Sequence, residues 1–245
     1  LIEIEGPDIG AYAGVRGGQD DGLQWDAWGS FGQSHISYTI GDTQNPSWGA
    51  PMTPDGTIDY ANVQTVFDSG GQVNSESALG VDFGYSVDTE TIRSLLISFG
   101  ATYRNERYYT IMGEEASWKA GPLVDLTVGA NGQAGIGPES DFDASRHSYA
   151  MYVDFDANVT DALNLTAAAR YEDYSDFGDN LSAKVSMRYQ LWRDVLAIRG
   201  AASTGFHAPS LGQINNLQLN TAFLQGELNY RGLFPAYHPL AVNLG

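Results

Sequence analysis

The feature that most constrains this chain is a long run of two-residue alternation. From Leu163 to Leu211 the sequence reads in twos: Leu163, Leu165, Ala167, Ala169 and Tyr171 point one way, and Asn164, Thr166, Ala168, Arg170 and Glu172 the other. After a turn-like SDFGDN the pattern returns, with Val185, Met187, Tyr189 and Leu191 set against Lys184, Ser186, Arg188 and Gln190. Trp192-Arg193-Asp194 makes a tight reversal, and Leu196 and Ile198 then alternate with Ala197 and Arg199. Successive side chains on a strand point to opposite faces, so this stretch predicts three consecutive antiparallel strands with one uncharged face. Neither face carries a helical period.

The rest of the chain repeats the pattern. A first hairpin runs from Ala11–Gly17 through GQDDG to a strand starting at Leu23 and continuing into ISYTI. A second places Val73, Leu79, Val81, Phe83, Tyr85 and Val87 on one face, turns at Asp88–Thr91, and returns through Leu95, Ile97, Phe99, Ala101 and Tyr103. A third joins Tyr149, Met151, Val153 and Phe155 to the Leu163 strand through Asn158–Ala162. The fourth is the Val185 and Leu196 pair. The expected fold is all-β, an antiparallel up-and-down meander of about eight strands. Short turns alternate with long connections at 43–69, at 112–146 and after Ser203, the last with a helical turn expected around Thr221–Glu227. Loops longer than about 12–15 residues are uncommon in compact domains, and three at one end need a reason.

Charge supplies the sharper test. Asp26, Glu76, Asp82, Arg104, Asp154, Asp156, Arg170, Glu172, Lys184, Arg188 and Arg199 all fall on one relative face, and the other face has no charge within its strand centres. An Arg or Lys facing lipid at mid-bilayer costs about 2–4 kcal/mol, so a membrane barrel must exclude it. Tyr103, Tyr149 and Tyr171 sit where one aromatic girdle would fall, and Trp25, Tyr85 and Trp192 where the other would. The chain has no run of 18 apolar residues long enough for a membrane helix, whereas a barrel strand needs only about 9–11 alternating residues. A soluble β-sandwich, such as a carbohydrate-binding module, would also have an uncharged inner face, and a passive porin-type channel would share the barrel pattern.

Composition removes other classes. With 12 Lys plus Arg against 30 Asp plus Glu, the net charge of −18 argues against a nucleic-acid partner. There is no Cys, hence no disulfide framework and no thiolate metal site. His35, His147, His207 and His238 are scattered without paired spacing. Glu172, Asp173, Asp176 and Asp179 lack the ordered spacing of a calcium loop and read as a solvated strand-end turn. Asp154 and Asp156 resemble a carboxylate pair, but Arg170 across the hairpin makes an inward-facing ion pair the simpler expectation. No nucleophile motif or phosphate cradle is present, so the chain reads as a non-enzyme with neither cofactor nor metal.

The wording of the strands carries more. RYEDYSDFGD, KVSMRY and LAIRGAASTGFHAPSL, with ISFGATYRNERYYTIMGEEASW (Ile97–Trp118) and DASRHSYAMYVDFDANVTDAL (Asp143–Leu163), resemble the barrel of TonB-dependent outer-membrane receptors. These matches cover roughly half of the chain in the right order, far more than one short motif. His207 stands where the family more often has Arg, and Glu115 interrupts a segment that more often reads Gly-Glu-Pro-Ala-Ser. The resemblance implies a barrel of roughly 22 strands, with residues 1–245 forming its central part and the plug domain and C-terminal strands absent. It implies energy-coupled uptake, across the outer membrane of a Gram-negative bacterium, of a scarce ligand such as a ferric siderophore, cobalamin or an oligosaccharide. The implied partners are outer-membrane lipid, the ligand, and the TonB complex acting through the missing plug.

Binding residues concentrate on loops carried by rigid scaffolds. The candidates for ligand contact in the outer loops are therefore Trp48, Tyr60, Trp118, Arg146, His147, His207, Tyr230 and Tyr237, which offer aromatic and cationic groups.

Overall fold

A computed structural model of the chain describes residues 1–19, 22–87, 89–123, 125–192, 195–224, 227–235 and 238–244, with 218–224, 228, 230, 240 and 244 given by their backbone. The strands are β1 (Ile2–Glu5), β2 (Asp8–Gly18), β3 (Leu23–Ile40), β4 (Phe67–Val87), β5 (Ser94–Ile111), β6 (Asp143–Asn158), β7 (Leu163–Tyr174), β8 (Gly178–Trp192) and β9 (Leu196–Ser203). They pair antiparallel with their chain neighbours from β3 to β9, and β1 and β2 share the free side of β3. Those two pieces form one interrupted strand, broken at Gly6-Pro7, where proline has no N–H for the ladder. The eight-strand meander therefore stands. It forms an open sheet in which β9 does not meet β1 or β2.

The strands outrun the alternation that revealed them. β4 begins at Phe67 rather than Val73, and β6 begins at Asp143 rather than after Arg146. Past the apolar belt both faces are polar, so no period-2 signal remains, but the backbone ladder continues: Gln72 pairs Ile36 and Thr110, and Ser145 pairs Arg107. The helical turn expected around Thr221–Glu227 is instead a separate hairpin, β10 (Gln218–Leu224) with β11 (Glu227–Leu233). Seven residues of backbone pairing on each side outweigh the weak local preference of TAFL for helix. The reversal at Trp192–Asp194, the GQDDG turn and the turn at Asp88 fall partly outside the described residues, at 193–194, 20–21 and 88.

Register fixes two unlike faces. Asp26, Asp82, Gly100, Tyr152, Arg170 and Ser182 lie opposite one another across β3–β8, as do Gln24, Gly84, Ser98, Asp154, Ala168 and Lys184. On the other face the rows read Phe83, Phe99, Val153, Ala169, Ala183 and Tyr85, Ile97, Phe155, Ala167, Val185. No second sheet packs on this apolar face among the described residues: Leu79 is 63% exposed, Met151 63%, Leu181 67% and Val185 58%. That excludes a sandwich core within this chain and leaves a broad apolar surface that requires a cover. From Leu95 to Tyr103 the band runs about 26 Å along the strand, which at the roughly 40° strand tilt of outer-membrane barrels covers about 20 Å of their apolar belt of roughly 25 Å. Tyr103 and Tyr149 meet cross-strand at one margin with tilted rings, centroids 5.1 Å apart, and Tyr171 lies one row nearer the middle, beside Met151. Charge returns to this face at that margin, with Asp173 opposite Tyr149 and Asp179 opposite Asp173, and again two rows on, where the Arg107 guanidinium clamps Asp143 (Nε–Oδ1 2.9 Å).

Candidate functional site

Asp82 organises the charged face. It accepts hydrogen bonds from the Trp28 indole N–H (2.8 Å) and the Tyr152 hydroxyl (2.6 Å), tying β3, β4 and β6 together across β5. Two glycines make room. A Cβ on Gly80 would lie 2.4 Å from the Trp28 ring, and one on Gly100 would lie 2.6 Å from Asp82 and 2.7 Å from Tyr152. Arg170 does not reach Asp154 or Asp156 as expected. It pairs with Glu172 two residues along its own strand (2.9 Å), because its cross-strand partner is the bulky Tyr152. Asp156 instead accepts from Asn164 (2.6 Å).

At one end of the sheet the two long loops, 41–66 and 112–142, form one interlocked unit. Asn45 precedes a 3₁₀ turn at Pro46–Trp48; its Oδ1 accepts from the Ser47 N–H and hydroxyl, and its NH2 donates to the carbonyls of Ala116 and Lys119 in the second loop. The short helix α1 (Glu115–Trp118) is threaded through the centre, with the Ser117 carbonyl accepting from both Ala130 and Gly135. Phe67, Ala116 and Ala130 form a small apolar core beneath. The Asn45, Ser47 and Ser117 side chains all have partners, so the contacts between the loops leave none of these buried groups unsatisfied.

A second knot lies beside them. The Arg146 guanidinium, 3% exposed, makes a double contact with Glu106 (2.9 and 3.0 Å), donates to the Pro209 carbonyl (2.9 Å) and approaches Asp176 (3.5 Å). It also lies over the Tyr174 and Phe177 rings, which pack against each other and against Phe206. One side chain thus ties β5, β6, the β7–β8 turn and the segment leading to α2 (Leu211–Asn215).

The sequence candidates separate accordingly. Trp48 flanks a 340 Å³ cavity between the loops, with its indole N–H fixed on the Lys119 carbonyl (2.8 Å) and its ring 43% exposed. Trp118 donates to the Gly113 carbonyl (3.0 Å) and is half-buried inside the loop unit. Tyr60 stands 80% exposed away from the cavity. Arg146 is a correction: it belongs to β6, not to a loop, and is spent internally. His147, also in β6, points outward beside Tyr149 (ring centroids 6.1 Å). His207 is exposed between Phe206 and α2. Tyr237 and the Tyr230 side chain lie outside the described residues. The cavity's other walls, among them Gln44, Asn62, Val63, Gln64 and Phe67, were not singled out by sequence; the only local signal was Asn45-Pro46, which marks a turn.

A family model for the TonB dependent receptor-like β-barrel matches residues 5–235. The chain belongs to that family. No curated protein matches it. Among solved structures, its fold is similar to a mutant ferric enterobactin receptor from Pseudomonas aeruginosa: TM-score 0.59, 13% identity, 93% of this chain and 30% of that one. Another structure of that receptor, in complex with enterobactin, gives TM-score 0.58 at 14% identity over 88% and 28% of the two chains. The siderophore receptor PirA from Acinetobacter baumannii gives 0.56 at 13% identity over 86% and 27%. This receptor-barrel chain therefore spans less than a third of the length of those receptors.

Proposed function

We propose that this chain forms part of the wall and outer loops of a TonB-coupled receptor. Such a receptor would sit in the Gram-negative outer membrane and import a scarce small-molecule ligand; it would be a transporter and not an enzyme. The observation that carries the reading is the pair of unlike faces within the family's barrel fold. One face presents an uncharged, exposed band, and the other holds Asp82, Arg170, Glu172 and Lys184. Lipid covers the first without cost, and the second lines a polar interior. The loop unit around Trp48 then stands at the outer end, where a ligand arrives. A plug domain supplied by a longer protein would receive energy from the TonB complex and open the interior.

The test is uptake by cells producing the whole receptor, measured before and after collapse of the proton-motive force. Accumulation should stop with the uncoupler. Uptake that continues at the same initial rate would identify a passive channel instead.

A further inference from the structure

The two interlocked outer loops are almost without positive charge. Residues 41–66 and 112–142 together contain eight carboxylates and one cation, Lys119. That lysine is already held by Glu115 (2.8 Å). Close by, Arg107 is committed to Asp143, and Arg146 to Glu106 and Asp176. A polyanionic ligand approaching this surface meets like charge and finds no free cation among these groups, a combination that opposes both encounter and binding.

The cavity beside Trp48 has a different character from the acidic surface around it. None of its lining residues is charged. Trp48, Val63 and Phe67 supply apolar wall, and Asn62 and Gln64 supply amides. Asn62 gives one of its two amide N–H groups to Asp59 (2.7 Å), and Gln64 gives both of its own, to Glu114 (2.7 Å) and the Val66 carbonyl (3.0 Å). Toward a ligand Asn62 retains one N–H and its carbonyl oxygen, and Gln64 its carbonyl oxygen. The Trp48 N–H is likewise used, so its ring plane is fixed and offers only an apolar surface. The site therefore suits a neutral ligand with a flat apolar face and a rim of hydroxyls, which both donate and accept. With no carboxylate in the lining, a metal cation finds no anionic ligand there. At 340 Å³ the cavity is at the small end of ligand pockets.

We infer that this cavity is a subsite for one or two units of a neutral oligosaccharide, with the sugar's C–H face on Trp48 and its hydroxyls on Asn62 and Gln64. The inference rests on the receptor reading above and names its substrate class.

The experiment uses the whole receptor purified in detergent. Calorimetric titrations would use neutral gluco-, xylo-, galacto- and chito-oligosaccharides of two to six units, with ferric enterobactin as the anionic probe. At least one oligosaccharide should bind, Trp48→Ala should weaken it tenfold or more, and Trp48→Phe should keep it within about threefold. Heat-modified mobility in gels verifies that each variant is folded. Binding of ferric enterobactin undiminished by Trp48→Ala, or binding of no oligosaccharide, overturns the assignment. Uptake in cells separates the two levels. Import of the ferric complex that requires the proton-motive force would sink the sugar subsite and keep the receptor. A sugar that binds through Trp48 but enters cells without the proton-motive force would do the reverse.

Discussion

Phe99 and Ser98 are neighbours at one depth on opposite faces of β5, and this makes them the sharpest test of the two-faced wall. Phe99 lies in the row Phe83, Phe99, Val153, Ala169, midway between Tyr103 and Leu95. Its ring stacks on Phe83 with centroids 5.1 Å apart and is 41% exposed. Phe99→Arg would place a guanidinium at the middle of the band, costing about 2–4 kcal/mol, and would lose a stacked aromatic pair worth about 0.5–1.5 kcal/mol. The expected destabilisation is about 3–5 kcal/mol. Ser98→Arg turns the same charge inward, directly opposite Asp154 and beside Gly84, where the expected change is within about 0.5 kcal/mol of zero. The assay is reversible denaturant unfolding of the whole receptor in short-chain phosphatidylcholine vesicles, read by heat-modified mobility and tryptophan fluorescence. Equal losses from the two substitutions, or a larger loss from Ser98→Arg, would refute the assignment of faces.

Three further outcomes follow from the same geometry. Arg146→Ala removes the cation from a buried pair and leaves Glu106 and Asp176 unbalanced; a loss of about 3–5 kcal/mol is expected, measured as a fall in thermal midpoint. Gly100→Ala forces a methyl to 2.6 Å from the Asp82 carboxylate, so it should cost more than Gly32→Ala, where a Cβ meets nothing within 4 Å; parallel melts compare the two. The Asp55 carboxyl is held below its ordinary range first by the Thr53 hydroxyl and then by Thr57. A folded value below the unfolded one, about 3.9, means the turn's stabilisation is complete above that pH and is lost as pH falls through the lower value. NMR of a side-chain label at Asp55 should show a midpoint under that of Thr53→Ala, and equal midpoints would exclude the hydroxyl as cause.

Much of this was legible before any coordinates. The period-2 pattern alone places β3, β5, β7 and β8, because a strand that separates lipid-like from polar surroundings must write that division into every second residue. Segregation of charge followed from the same spacing, and register in the folded sheet aligned those charges row by row without a slip at the centre. The alternation fell silent where the surroundings become the same on both sides. Phe67–Gln72 and Asp143–Ser148 lie beyond the apolar band, so their strands are set by neighbouring ladders that a sequence window does not contain.

The candidate site divides along the same line. Trp48 could be chosen as a loop aromatic, but Tyr60 and Trp118 were equally eligible, and nothing local told a cavity-lining ring from one serving as a strut. Arg146 looked like a free loop cation because Glu106, Asp176 and Pro209 stand 40, 30 and 63 residues away. By itself the sequence determined the fold class and the two faces, each imposed by alternating local contact with solvent of one kind or another. Which polar side chains were left free was decided only in the tertiary structure, since a hydrogen bond is satisfied by whatever group the fold brings near, however far off it lies in the chain.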